Sequence, residues 1–236
     1  MQQAKTKRFY KTATATATPE GWQVELDGRP VKTPAKAPFL LPTAALAQAA
    51  AEEWQAQGER VDAARMPVTS LSFTAIDLVA GQRAQITEEL AEFAQTDLLC
   101  YRVEYPESLV RRQRDCWQPL LDWAALTFDA PLAVTSGIYA IEQDGASLRA
   151  LQRAIARHDD FALTALATVV RLSGSLVIGL AFSHAHIDAA AAFDAAELDQ
   201  TYELEHWGED AEAKALRDAM QQELADCERF LTLLRQ

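Results

Sequence analysis

Trp22-Gln23-Val24-Glu25-Leu26-Asp27-Gly28-Arg29-Pro30-Val31-Lys32-Thr33 is the stretch whose reading decides the fold of the N-terminal part of this chain. Trp22, Val24 and Leu26 alternate with polar residues, the period of a strand with one buried face. Asp27-Gly28 follows, and because both residue types tolerate positive φ, the pair favours a tight hairpin into residues 29–33. Upstream, Thr12, Thr14, Thr16 and Thr18 alternate with alanine. β-Branched residues at period two suit one face of a pleat, and Pro19-Glu20-Gly21 reads as the turn that follows. These runs predict a small antiparallel meander within residues 8–41.

Beyond the meander the pattern turns helical. Pro42-Thr43 offers a helix start with Thr43 as N-cap, and an alanine-rich stretch runs through Trp54 until Gly58 stops it. After Pro67, Ile86, Leu90 and Phe93 form one apolar stripe, and Leu148, Leu151 and Ile155 form another. Residues 109–128 read as a helix that Pro119 should kink or restart. Residues 134–141, followed by Asp144-Gly145, suggest a late strand returning to the N-terminal sheet. Asp188 is expected to cap one long helix through His206, and a last helix from about Glu209 carries Leu216, Met220, Leu224, Cys227 and Leu231 on one stripe. The expected class is α+β: a small β-rich N-terminal domain with flanking helices over residues 1–80, then a mainly helical C-terminal domain over 81–236.

With 49% hydrophobic and 24% charged residues, the 236-residue chain has the composition of a globular protein with material for a core. Its net charge of −12 would repel phosphate backbones and anionic headgroups, so nucleic acid and membrane surfaces are excluded as expected partners. Lys5, Lys7, Arg8 and Lys11 make a small basic patch, with no apolar or Arg/Ser-rich amphipathic stretch behind it to suggest a targeting segment. The apolar run 172–182 contains Ser173, Gly174, Ser175 and Gly179 and falls short of the roughly 20 residues that cross a bilayer, so a buried helix is expected and no membrane insertion. Cys100, Cys116 and Cys227 are scattered and odd in number, which reads as reduced core thiols in a cytosol-like compartment.

The search for chemistry finds one metal candidate. His184, His186 and Asp188 are ligand types, but residues two apart diverge on a helix, so only a strand or loop would let them converge. A small metal-dependent hydrolase on these three residues is the alternative reading. His158-Asp159-Asp160 is a second polar cluster, explained by Asp160 as a helix N-cap. Glu203 and His206 fit a surface pair on one helix face. Neither a phosphate-binding loop, a dinucleotide fingerprint nor a G-x-S-x-G elbow occurs, so no cofactor is expected.

Several stretches together resemble the ATP12 family of F1-ATPase assembly chaperones. They are Arg8-Phe9-Tyr10-Lys11, Val24 through Pro34, Leu41-Pro42-Thr43, Glu53-Trp54, Met66-Pro67-Val68-Thr69, Thr74-Ala75-Ile76-Asp77 and Thr96-Asp97-Leu98-Leu99-Cys100-Tyr101-Arg102. Later pieces are Arg112-Gln113, Trp117-Gln118-Pro119-Leu120-Leu121-Asp122-Trp123, Ser173-Gly174-Ser175 and Trp207-Gly208-Glu209-Asp210. The resemblance implies a two-domain, non-enzymatic chaperone that binds the newly made F1-ATPase alpha subunit until it pairs with beta. It further implies a monomer without cofactor, cytoplasmic in a bacterium and in the mitochondrial matrix for eukaryotic relatives. The family's sensitive acidic position falls on Asp199, within Leu198-Asp199-Gln200, where Gln200 departs from the acidic neighbour of many relatives. Asp199 is therefore the expected partner-binding residue, turned to solvent while Leu198 and Tyr202 pack. Trp54, Trp117, Trp123 and Trp207 are expected mostly in the core.

Overall fold

A computed structural model describes residues 7–136, 141–208 and 211–236. The chain forms two compact units, Met1–Gln82 with Asp160–Thr164 and Arg229–Gln236, and Arg83–Asp159 with Ala165–Glu228. It is α+β: a small antiparallel sheet near the N-terminus, followed by helices.

In the first unit β1 (Ala13–Thr18) pairs antiparallel with β2 (Gly21–Leu26), from Ala13 opposite Leu26 to Thr18 opposite Gly21. The short β3 (Arg29–Pro30) and β4 (Leu40–Leu41) also pair with β2. The hairpin forms where the sequence places it: Asp27 and Gly28 sit at φ 49° and 76°, both left-handed, as a two-residue turn of this twist requires. Gly21 is also obligatory, since at φ 141° an added Cβ would lie 2.9 Å from the Leu41 carbonyl oxygen. Thr14 and Thr16 face solvent while Ala13 and Ala15 are half-buried, so the inward face of β1 is the alanine face. Helix α1 (Ala44–Gln55) packs across β1 and β2 with Leu46, Ala47 and Ala50 buried.

Polar groups fix the ends of these elements. Thr43 caps α1, accepting from the Leu46 N–H at 3.1 Å, and donates its hydroxyl to the Leu233 carbonyl at 2.8 Å. The Arg8 guanidinium donates to the carbonyls of Tyr10, Lys11, Gln55 and Gln57, so its charge is held by the end of α1 rather than displayed on a patch. Lys5 of the expected patch lies outside the described residues. Helix α2 (Pro67–Thr74) has no cap from its own N-cap residue, Met66. Instead buried Glu53 accepts from the N–H groups of Val68 and Thr69, each at 2.8 Å. A π-helical turn, Ala75–Val79, then leads into α3 (Ala80–Glu92), which leaves helical geometry at Gln82, the last residue of this stretch of the unit.

The second unit is built on helices. A two-residue strand β5 (Tyr101–Arg102) precedes α4 (Glu107–Phe128), which runs through Pro119 as one 22-residue element. The described part of the expected late strand, β6 (Thr135–Ser136), pairs parallel with β5 rather than with the N-terminal sheet, and residues 137–140 lie outside the described set. Then follow α5 (Gly145–Ala156), α6 (Asp160–Ser173) and α7 (Leu176–Ser183). The apolar run 172–182 is thus two elements. Gly174, at φ 67°, ends α6, and Ser175 caps α7, every residue of which is buried. No described helix is long and apolar enough to cross a membrane.

The helix expected from Asp188 to His206 is also two. Asp188 caps α8 (Ala189–Ala196), accepting from the Ala191 N–H at 2.8 Å, but Glu197 leaves helical geometry and α9 (Leu198–Trp207) starts afresh. The break is held from outside: the Trp117 indole donates to the Ala195 carbonyl at 2.8 Å, and Arg217 pairs with Glu197 at 2.6 Å. In α10 (Ala211–Leu234) the stripe is buried from Leu224 through Cys227 to Leu231, whereas Leu216 is 69% exposed. Glu209, the expected start, lies outside the described residues.

Asp97 anchors this unit. Fully buried, it accepts from Ser175 Oγ at 2.7 Å, Leu99 N–H at 3.1 Å and Val177 N–H at 3.1 Å, joining the loop before β5 to the start of α7. Burial outweighs these donors and pushes its pKa up to about 6.

Two predictions follow from the buried carboxylates. Glu53→Ala orphans two buried N–H groups and should cost about 2–4 kcal/mol in urea unfolding, with Glu53→Gln intermediate because it keeps one acceptor. For Asp97 the folded pKa is above the unfolded one, so its contribution is full below about pH 4 and is lost as pH rises through about 6. Relative to Asp97→Asn, the wild type should lose about 2–3 kcal/mol, mostly between about pH 4 and 6. A pH-independent difference between the two proteins would contradict this.

Candidate functional site

Helix α9 carries Asp199, Tyr202, Glu205 and Trp207, and it lies against α4 along an antiparallel seam. Trp117 meets Ala195, Gln113 meets Asp199, and Ser108 meets Tyr202, hydroxyl to hydroxyl at 2.7 Å. Arg112 forms an ion pair with Glu205 at 2.7 Å and stands 5.2 Å from the centre of the Tyr202 ring. That hydrogen bond from Arg112 holds the Glu205 carboxyl below its usual range.

Asp199 is not the free surface carboxylate that helix geometry suggested. It is half-buried, and Gln113 Nε2 donates to its Oδ1 at 2.8 Å. Gln113 is itself fully buried and accepts from the Val103 N–H at 3.0 Å, so Asp199 closes a relay from the segment after β5 to α9. Burial raises the Asp199 pKa, the Gln113 hydrogen bond pulls it down, and the nearby Glu203 charge raises it again. Sequence reasoning missed Gln113. Its signal was a polar residue four before Trp117, on the stripe that continues through Leu120 and Ala124.

Because the seam is antiparallel, the first turns of α4 lie against the C-terminal half of α9. Tyr105, just before α4, is 80% exposed, and Trp207, the last residue of α9, is 89% exposed. Of the four tryptophans expected mostly inside, Trp117 is fully buried, Trp54 and Trp123 are half-buried, and Trp207 stands in solvent. Within α9 the rings of Tyr202 and His206 lie 4.4 Å apart. The helix pair thus carries two exposed aromatics, Tyr105 just before α4 and Trp207 at the end of α9, with the Arg112–Glu205 ion pair across its seam.

His184, His186 and Asp188 do not form a common site. His184 Nδ1 bonds the Leu180 carbonyl at 2.9 Å, His186 stacks on Trp123 with ring centres 4.8 Å apart, and Asp188 caps α8. Among the described residues no group of three or more His, Cys, Asp or Glu side chains could hold a metal ion. The metal-dependent hydrolase is therefore not supported. The fold instead brings His158 to His184, ring centres 5.6 Å apart, and His158 Nε2 to Ser183 Oγ at 3.0 Å. Burial, with a smaller push from His184, lowers the His158 pKa. Asp160, expected as an N-cap, is the first residue of α6. The three cysteines are free, and burial pushes the Cys100 and Cys227 thiols up to about 12, away from reactive thiolate.

Comparison with known proteins assigns the class first: this is a chaperone-type protein. The family model described as ATP12 chaperone protein matches residues 7–125. Atp12 from Paracoccus denitrificans is 43% identical, with 98% of this chain and 99% of that chain covered at a TM-score of 0.94. A mutant of P. denitrificans Atp12p, lysine for aspartate, matches at 41% identity over 98% of this chain and 100% of that chain, again with a TM-score of 0.94. The Atu1473 protein from Agrobacterium tumefaciens is 37% identical over 97% of this chain and 85% of that chain, with a TM-score of 0.89. The chain belongs to the ATP12 chaperone protein family. Membership supports a role as a chaperone of ATP synthase assembly.

The Gln113 contact gives a prediction about stability. Asp199→Asn keeps an acceptor for Gln113 and should stay within about 1 kcal/mol of wild type, whereas Asp199→Lys leaves the buried amide unpaired and should cost about 1–3 kcal/mol. Urea unfolding of both variants checks it. Equal stability of Asp199→Lys and wild type would mean that the hydrogen bond contributes nothing.

Proposed function

We propose that this chain binds the unassembled alpha subunit of F1-ATPase and shields it until beta takes its place. The observation that carries the reading is the 43% identity to Paracoccus Atp12 across 98% of the chain. The geometry of α4 and α9 agrees with it, because Tyr105, just before α4, and Trp207, at the end of α9, are large exposed aromatics, the residue types that dominate interface energies. Asp199 is the partner-binding residue in this reading. It acts by setting how α9 sits on α4, through the hydrogen bond from Gln113.

An unpaired alpha subunit exposes apolar surface that beta would bury, and such patches associate non-specifically. A protein that covers the patch stabilises the soluble form by mass action and needs no hydrolysis, provided beta competes for the surface. The chain accordingly works without catalysis or cofactor, as a cytoplasmic monomer.

Refolding alpha subunit should scatter less light when this protein is present at equal concentration, and added beta should release it. Trp207→Ala, at an exposed position, should leave the melting temperature unchanged and weaken capture by about tenfold or more. Identical scattering with and without the protein would refute the reading.

A further inference from the structure

The first unit contains a pocket of about 600 Å³ between the N-terminal segment, the Asp27-Gly28 hairpin and the end of α1, well away in sequence from α9. Its aromatic wall comes from Phe9, Tyr10 and Trp54, with the Phe9 and Tyr10 rings edge to face at 5.4 Å and those of Tyr10 and Trp54 at 5.7 Å. Two of its features are unused by the fold. Phe9 is 75% exposed, and the Trp54 indole N–H is sealed from solvent with no acceptor. An aromatic left exposed beside an open pocket is a surface that the apolar group of a ligand would cover.

The rim is cationic on an acidic protein. Residues 7–36 hold six lysines and arginines against three carboxylates, within a chain of net charge −12. Arg29 and Lys32 line the pocket, are exposed, and form no ion pair among the described residues. The pocket's carboxylate, Asp27, is already held by the N–H groups of Lys11 and Thr12 and by the Thr12 hydroxyl. The two cations are therefore available for carboxylates brought from outside.

We propose that this pocket binds an extended acidic peptide segment with an aromatic or aliphatic anchor, supplied by the client subunit. The apolar anchor packs against Phe9, Tyr10 and Trp54, and the flanking carboxylates pair with Arg29 and Lys32. The segment's origin in the client rests on the chaperone reading above, while the peptide chemistry does not. The site belongs to the first unit and the α4–α9 surface to the second, which gives the protein a second point of contact.

The test uses the full chain and a fluorescein-labelled peptide, Gly-Asp-Phe-Glu-Leu-Asp-Gly, beside the same peptide with lysine at each acidic position. Anisotropy should show saturable binding of the acidic peptide only, weakened at least tenfold by Arg29→Glu with Lys32→Glu, as expected for reversed charge at a contact. Phe9→Ser should weaken it about threefold or more through the lost apolar contact. Both variants change exposed side chains, and thermal unfolding confirms that each is folded. Capture of alpha subunit by the charge-reversed double variant should fall in parallel. No saturable binding of the acidic peptide, equal binding of the lysine peptide, equal affinity in the double variant, or undiminished alpha capture by that variant would each overturn the proposal. If wild-type protein fails to capture alpha at all, the proposed function falls, and the peptide measurements still decide the pocket.

Discussion

A buried carboxylate that forms no ion pair among the described residues, Asp97, is the constraint on which the second unit is built. It sits at the start of α7, where the first turn of a helix leaves N–H groups without intrahelical partners and carries the positive end of the dipole. Ser175 and Val177 supply donors from that turn, and Leu99 supplies one from the loop on the other side. Desolvation opposes this arrangement and is visible in the raised pKa, so the anion is held by the fold rather than holding it at no cost. The return is positional. A fully buried helix such as α7 has no amphipathic face to fix its orientation, and the Asp97 contacts tie its N-terminus to the chain about 80 residues earlier.

The first unit repeats the device with different parts. Glu53 supplies α2 with the cap that Met66 cannot, and Arg8 does the converse at the other pole, gathering carbonyls at the end of α1 where a cation is favoured. Thr43 works at both kinds of terminus, accepting from the first turn of α1 and donating to the Leu233 carbonyl near the end of α10. These contacts explain why stretches with no catalytic signature recur in the family resemblance. Glu53 meets Val68 and Thr69, Asp97 meets Ser175, Thr33 meets Asp77, and each pair joins two of the quoted pieces.

The parts of the fold that were legible in the sequence are those decided locally. Asp27-Gly28 forms its turn because both residues accept left-handed φ, and Thr43 and Asp188 cap because a short polar side chain before a helix has a donor within reach. What the sequence hid was decided at a distance. Nothing between Ala189 and Trp207 breaks a helix intrinsically. The break at Glu197 coincides with Trp117 on the Ala195 carbonyl and Arg217 on Glu197, two contacts from other helices. The strand at Thr135–Ser136 was visible as β-branched sequence, but its partner was not, because two residues of pairing carry no register information. Asp199 shows the same division: its place on α9 was readable, but its hydrogen bond to Gln113 belongs to the packing of α4.

The same accounting separates structural residues from those available for function. Once backbone termini and buried carboxylates have partners inside a unit, the groups left over stand out. In the second unit Tyr105 and Trp207 are large, aromatic and exposed, beside a helix pair whose seam is closed by three side-chain contacts. Rigid support matters here, because an aromatic anchored on a stiff element loses little conformational freedom on binding. It also limits affinity, since a few anchors on helix ends engage less surface than an obligate interface buries. Under the function proposed above, in which the client is released when another subunit arrives, that limit is an advantage: a contact of modest area can be displaced by competition, whereas a core-like interface would trap the client.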